Sequence, residues 1–277
     1  MKPKQAPLIQ ATELLQLAKS PDLILIDATN GKNARENYTQ KHLAGAIFVD
    51  LDSQLADIKA DVSNGGRHPL PTPTQFSETL GKLGISPQSQ VVVYDDKSGA
   101  NAAARFWWML LAVGHSSVQV LDGGIQAAER AGFPMSSSPE QPKETLPYPI
   151  NAWQLPQADM AEVEQVAQNP DYLVIDVRDH DRYLGLVEPI DLIAGHIPGA
   201  INIPFSENLD ANGLFKSPTE LMAIYQNAFS ERPVDHLIVH CGSGVTACHT
   251  LLAVAQAGLE IPKLYVGSWS EWSRNKC

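Results

Sequence analysis

The sequence predicts an α/β protein made of two similar domains, each a mostly parallel sheet flanked by helices. Short aliphatic and β-branched runs, such as those at residues 23–27 and 173–176, alternate with segments of helical periodicity, such as 102–113. Strands that alternate with helices form parallel sheets that are covered on both faces. The chain has 277 residues, which is enough for two ordinary domains.

The two halves of the chain repeat the same landmarks in the same order. The matched pairs are 23–27 with 173–176, 42–47 with 196–201, 91–95 with 237–241 and 120–125 with 264–269. We infer an internal duplication of about 120 to 130 residues per copy. A Pro- and Ser-rich stretch between the copies favours extended chain. The predicted division is therefore 1–135, a linker at 136–156, and 157–277.

Composition excludes several classes of partner. The net charge is −11 and no basic run stands out, so nucleic acid and membrane surfaces are poor partners, although a local field could still bind an anionic substrate. No signal peptide or membrane span is visible, which predicts a cytoplasmic protein. An odd and sparse set of three cysteines argues against a disulfide framework and for a reducing compartment, and no Cys/His spacing suggests zinc. We expect no metal and no cofactor.

The segment 240–246, His-Cys-Gly-Ser-Gly-Val-Thr, connects a predicted strand to a predicted helix. Backbone N–H groups in such a loop converge at the positive end of a helix dipole, where they can hold an anion. Cys241 is therefore a candidate nucleophile whose sulfur anion the loop would stabilise. The loop residues expected to contribute are Gly242, Gly244, Val245 and Thr246. The alternative is a buried structural cysteine in a plain Gly-Ser-Gly turn.

The duplication provides an internal comparison for this loop. Asp95 of the first copy takes the position that Cys241 has in the second copy. A carboxylate cannot act as a thiolate nucleophile. We predict one active copy, the second, and one copy that supplies the walls of the cleft. Residues present in both copies, such as His42 with His196, are predicted to be structural.

These features resemble those of the tandem rhodanese-domain sulfurtransferases over nearly the whole chain. The resemblance depends on the paired strand–loop–helix blocks, on the Cys-Gly-Ser-Gly-Val-Thr loop and on Gly-Ser-Trp-Ser-Glu-Trp at 267–272. It implies two rhodanese-like domains, the first without a catalytic cysteine. The loop is similar to that of the 3-mercaptopyruvate sulfurtransferases. Thiosulfate sulfurtransferases have Arg and Lys where this chain has Gly242 and Ser243.

The resemblance also implies roles for residues outside the loop. Arg178 and Arg182 would hold the carboxylate and carbonyl of the substrate; otherwise they form surface ion pairs. Ser243, His68 and Asp52 would form a proton relay beside the nucleophile. From the residues alone, Asp52 could equally cap a turn and His68 could be an ordinary loop histidine.

The implied activity is transfer of sulfur from 3-mercaptopyruvate to Cys241, with release of pyruvate and formation of a persulfide. The expected acceptors are cyanide in assays and a dithiol reductant such as thioredoxin in cells. Thiosulfate as donor, and a non-catalytic sulfide-carrier or regulatory module, remain the alternatives. A phosphatase with a Cys-x5-Arg loop is disfavoured because Ala247 occupies the arginine position.

Overall fold

The computed structural model describes residues 5–277 and contains two five-stranded sheets with the same strand order. The strands are β1 (Leu8–Ile9), β2 (Leu23–Asp27), β3 (His42–Leu43), β4 (Ala46–Phe48), β5 (Gln90–Tyr94), β6 (Val118–Leu121), β7 (Met135–Ser136), β8 (Gln157–Ala158), β9 (Leu173–Asp176), β10 (Ile201–Asn202), β11 (Leu237–His240) and β12 (Lys263–Tyr265). The first sheet has the order β1-β6-β5-β2-β4 and the second the order β8-β12-β11-β9-β10. All neighbours within both sheets are parallel, and β3 and β7 form a separate antiparallel pair.

Helices separate the strands along the chain. They are α1 (Ala11–Leu17), α2 (Ala34–Gln40), α3 (Leu51–Gln54), α4 (Pro73–Lys82), α5 (Ala103–Ala112), α6 (Gly124–Arg130), α7 (Met160–Val166), α8 (His180–Tyr183), α9 (Pro218–Phe229), α10 (Thr246–Gln256) and α11 (Ser268–Lys276), with 3₁₀ turns at Phe205–Asn208 and Val234–His236. The predicted α/β class is confirmed, and the shared strand order supports the inferred duplication.

The central strand of each sheet leads to one of the two loops compared above. β5 and β11 occupy the middle position in their sheets and are almost entirely buried, as expected for Val- and Ile-rich strands covered on both faces. Ligands bind beyond the carboxyl ends of such strands. Asp95 and Cys241 each stand one residue beyond such an end.

Helices α5 and α10 bring the two copies together. Every residue of α5 is buried, and the residues from Ala247 to Ala255 of α10 are buried as well. A helix that is apolar on all sides needs protein on all sides, and one apolar core includes residues of both helices. Because each helix begins just after one of the matched loops, their packing holds both loops near the interface between the copies.

The Pro-rich stretch follows the surface of the first copy in extended conformation. Its backbone is held by a hydrogen bond from Thr145 N to Gly81 O (2.9 Å) and one from Tyr148 N to Ser77 O (3.1 Å). No helix among residues 5–277 combines the length and the apolar character needed to cross a bilayer.

The matched histidines make the same local contact in both copies. His42 Nδ1 donates to Tyr38 O (2.6 Å) and His196 Nδ1 donates to Tyr183 O (2.8 Å). In each pair the rings stack with centroids 4.0 Å apart. This repeated contact agrees with the predicted structural role.

Candidate active site

The Cys241 loop is held from one side by the start of α11. Cys241 N donates to Ser268 Oγ (3.2 Å), while Trp269 N donates to Cys241 O (3.0 Å) and Ser270 N to Gly242 O (2.9 Å). The Gly-Ser-Trp segment noted in the sequence therefore fixes the backbone of the Cys241 loop. Cys241 itself is only 1% exposed.

The amides of this loop are available to an anion. Within residues 5–277, the N–H groups from Gly242 to Ala247 have no hydrogen-bond acceptor from the protein. Unpaired buried amides are rare in proteins unless a ligand or water completes them. Their position at the start of α10 adds the positive end of the helix dipole.

In the first copy, the amides of the matched loop hold a carboxylate. The Asp95 carboxylate accepts hydrogen bonds from four backbone amides of its own loop and helix. The donors are Lys97 N (2.9 Å), Gly99 N (2.8 Å), Asn101 N (3.0 Å) and Ala103 N (3.2 Å). Burial raises the pKa of Asp95 to about 6, although these amides act in the opposite direction. The first loop thus already contains an acidic group at the position matched by the sulfur of Cys241.

The three residues of the predicted relay contact one another in succession. His68 Nδ1 is 2.7 Å from Ser243 Oγ, and His68 Nε2 is 3.3 Å from Asp52 Oδ1. Burial, helped by the charges of Arg67 and Arg105, lowers the pKa of His68 to about 4. The imidazole is therefore neutral at pH 7 and can accept a proton from Ser243.

Arg105 reaches the same loop from the first copy. This α5 residue is fully buried and donates from Nη1 to Gly244 O (3.0 Å) and from Nη2 to His68 O (3.1 Å). Burial lowers its pKa, while the thiols of Cys248 and Cys241 act to raise it. No carboxylate among residues 5–277 pairs with this guanidinium, so its charge is available to an anion in the loop.

Arg178, one of the two arginines predicted to hold substrate, makes several contacts within the protein. Its guanidinium pairs with Asp176 (Nη2 to Oδ2, 2.7 Å), donates to Gly195 O (2.6 Å) and contacts Glu188 (3.3 Å). The side chain is 1% exposed and packs over the Trp269 ring. The bonds to Asp176 hold the guanidinium close to its own backbone, and Nη1 makes only the contact with Glu188 among the described residues.

Arg182 lies in a cluster with three residues that the sequence did not indicate, Arg67, Asp191 and Arg274. Asp191 lies among Arg67 (3.2 Å), Arg182 (3.5 Å) and Arg274 (3.4 Å), and its side chain is not exposed. Arg182 also pairs with Glu188 at 2.7 Å. A Cβ atom built on Gly242 would lie 2.8 Å from Arg67 Nη2, 3.6 Å from Arg182 Nη2 and 3.7 Å from Asp191 Oδ2. This group therefore borders the residue that follows Cys241.

Sequence signals for the missed residues are weak but identifiable. Arg67 directly precedes His68, and Arg105 is the single charge within the otherwise apolar segment 102–113. No group of three or more His, Cys, Asp or Glu side chains that could hold a metal ion occurs within residues 5–277.

Comparison with known proteins places this arrangement in a family. A model of the rhodanese-like domain matches residues 10–131 and again residues 159–275. The chain belongs to the rhodanese-like domain family and contains two tandem copies of that domain, which confirms the resemblance seen in the sequence.

The similar proteins are sulfurtransferases. A probable 3-mercaptopyruvate sulfurtransferase of Pseudomonas aeruginosa is 39% identical over 96% of this chain and 95% of its own length. A thiosulfate sulfurtransferase of Rattus norvegicus is 37% identical over 92% of this chain and 86% of its own length. The structure of 3-mercaptopyruvate sulfurtransferase from Leishmania major superposes with a TM-score of 0.84 at 29% identity, over 98% of this chain and 76% of that one.

Proposed function

We propose that this protein is a sulfurtransferase that uses 3-mercaptopyruvate as donor and Cys241 as nucleophile. The single observation that carries the proposal is the unpaired row of amides around Cys241, matched in the first copy by amides that bind a carboxylate. The Cys241 thiolate would attack the donor sulfur, and the C–S bond would break with its electron pair moving to carbon. The products are a Cys241 persulfide and the enolate of pyruvate.

The relay would move the remaining proton. The donor brings one thiol proton, and the enolate carbon needs one proton to become pyruvate, so the reaction balances without an outside acid. Ser243 and neutral His68 form a path of 2.7 Å for that proton. Asp52, at 3.3 Å from His68, would orient the ring and stabilise its protonated form.

We propose that Arg182, with Arg67 beside it, binds the carboxylate of the donor, while the amides of Gly242, Gly244, Val245 and Thr246 bind the sulfur. Both guanidinium groups border Gly242, so a carboxylate there lies several ångströms from Cys241, as the shape of mercaptopyruvate requires. Arg178 would act through Glu188 and Asp176 by fixing the segment around Arg182.

Thiosulfate is the second candidate donor, because identity to thiosulfate and mercaptopyruvate sulfurtransferases is nearly equal. The loop lacks the side-chain cations that suit a dianion, which favours mercaptopyruvate. The persulfide would then pass its outer sulfur to cyanide, giving thiocyanate. A dithiol such as that of thioredoxin would instead become a disulfide and release sulfide.

The test is turnover together with the mass of the intact protein. Purified protein should release pyruvate from mercaptopyruvate and, before acceptor is added, gain about 32 Da, the mass of one sulfur atom. Cys241→Ser should lose both, and Cys277→Ser, which changes an exposed cysteine, should keep both. Full turnover by Cys241→Ser would overturn the proposal. A kcat/KM higher for thiosulfate than for mercaptopyruvate would overturn the choice of donor.

The division of labour between the copies is also part of the proposal. Residues 1–135 would supply Asp52, His68, Arg67 and Arg105, residues 157–277 would supply the nucleophile, and 136–156 would join them. The catalytic site would then lie at the interface between the copies.

A further inference from the structure

Asp191 lies among three arginines beside the loop that follows Cys241. Its carboxylate is fully shielded from solvent and lies 3.2 to 3.5 Å from three different guanidinium groups. Charge-assisted hydrogen bonds normally measure about 2.7 to 2.9 Å, so Asp191 is shared between the three arginines without a close bond to any of them. The Nε of Arg182 is buried and lacks a hydrogen-bond partner in the described chain, and the Nε of Arg67 has only its 3.2 Å ion-pair contact with Asp191, which does not meet hydrogen-bond geometry.

We propose that Asp191 is a specificity-determining residue: it neutralises part of the arginine cluster that receives the donor's anionic group, and so favours donors of single charge. This inference rests on the proposed function, because the donor subsite is the one assigned to Arg182 and Arg67. Four arginines and three carboxylates form the connected network, so its formal charge is +1. Mercaptopyruvate has one carboxylate charge, whereas thiosulfate has two.

Access to Cys241 agrees with this role. The nucleophile is 1% exposed, and the residues bordering Gly242 are Arg67, Arg182 and Asp191. A donor carboxylate that pairs with the two arginines would therefore share them with Asp191. The energy of that pairing depends on donor charge, because a dianion meets a cluster whose positive charge is already largely cancelled.

Asp191→Asn is the sharpest perturbation, because it keeps the shape of the side chain and raises the formal charge of the network to +2. The ratio of kcat/KM for thiosulfate to kcat/KM for mercaptopyruvate should rise about tenfold, which corresponds to one extra charge contact worth about 1.4 kcal/mol. Asp181→Asn is the matched control. It removes the same charge from an exposed position in α8 and should leave the ratio unchanged.

A second measurement does not depend on turnover. Inorganic sulfate should protect Cys241 from iodoacetamide, and Asp191→Asn should lower the sulfate concentration needed for half protection about tenfold. Asp191→Ser, smaller and also neutral, gives the same readouts if the amide variant folds poorly.

The outcomes separate the two proposals. If the wild type turns over mercaptopyruvate but neither the donor ratio nor sulfate protection changes more than twofold in the Asp191 variants, Asp191 does not determine specificity. If no donor is turned over while the Asp191 variants bind sulfate more tightly than Asp181→Asn, the proposed function fails and the anion-subsite role of Asp191 stands.

Discussion

The acid limb of the pH profile offers a direct test of the relay. Burial lowers the pKa of His68 from its ordinary 6.5 to about 4, with the charges of Arg67 and Arg105 acting in the same direction. A base that accepts the proton of Ser243 must be neutral. We therefore expect the relay to keep working well below the pH at which an ordinary histidine is protonated.

The difference between the two cases is large. A histidine with a pKa of 6.5 is about 76% neutral at pH 7 and about 9% neutral at pH 5.5, a loss of about eightfold. With the pKa of His68 at about 4, the ring is still about 97% neutral at pH 5.5. Activity that depends on the neutral ring should therefore change by only a few per cent over this interval.

The assay must isolate His68 from other titrations, including those of the donor and the nucleophile. The ratio of kcat/KM for wild type to that for His68→Gln removes every titration that both proteins share. This ratio should stay flat from pH 7 to 5.5 and fall only below about pH 5. The ring Cε1–H signal that disappears in the variant should titrate over the same low range in an NMR pH series. A midpoint near pH 6.5 in either measurement would refute the reasoning.

The same shift has a consequence for stability. Because the folded-state pKa is lower than the unfolded one, the unfolded chain binds more protons at acid pH. The contribution of His68 is fully present above pH 6.5 and is lost as the pH falls to about 4. A shift of this size corresponds to about 3 kcal/mol. Between pH 7 and 4, urea unfolding should show wild type losing about that much more stability than His68→Gln.

Three further substitutions test the supports of the site. Gly244→Ala should lower the free energy of unfolding by about 2 kcal/mol, because Gly244 has φ +72° and a Cβ there would lie 2.6 Å from Val266 O. Urea unfolding measures this loss, and an unchanged midpoint would contradict it. Arg105→Met should reduce kcat/KM about tenfold, because Gly244 O and His68 O lose a charged donor. Arg105→Lys should recover part of this activity, and equal activity of the two variants would argue against a role for the charge. Asp95→Asn should lower the free energy of unfolding by about 1 to 2 kcal/mol, since an NH₂ group would face backbone donors. It should leave the kcat of the folded protein unchanged. A selective loss of kcat would show that the first loop takes part in the reaction.

The position of the Cys241 loop could be predicted from the residues on either side of it. The Cys241 loop lies between a run of β-branched residues and an apolar helix, so its position could be derived from the chain itself. The pairing of His68 with Ser243 spans 175 residues, and only the family resemblance suggested it. Nothing in local spacing specifies which surfaces of two domains meet.

The arginines show the limit more clearly. Arg178 and Arg182 are four residues apart and had the same expected role, yet Arg178 pairs with Asp176, whereas Arg182 is among the residues that border Gly242. Glu188 and Asp191 lie in an irregular segment with exposed leucines and isoleucines, where no periodicity indicates direction. Which carboxylate meets which guanidinium depends on tertiary packing.

The duplicated helices α5 and α10 each contact the loop of the other copy. Arg105 of α5 donates to Gly244 O in the second loop, and the matched residue of α10, His249, donates to Ser98 O in the first loop (3.2 Å). Both carbonyls belong to the third residue after the matched Asp95 and Cys241, and both have positive φ, 54° at Ser98 and 72° at Gly244.

The two contacts differ in charge: the one to the Asp95 loop is neutral, and the one to the Cys241 loop is cationic. His249 is buried and its pKa is lowered to about 3, so the contact to the Asp95 loop is neutral. The contact to the Cys241 loop is a guanidinium without a carboxylate partner in residues 5–277. A buried, unpaired charge is costly, so it persists only where an anion compensates it during part of the working cycle. Under the proposed mechanism that anion would be the sulfur of Cys241, and since Arg105 belongs to one copy and Cys241 to the other, neither copy alone would form the complete site.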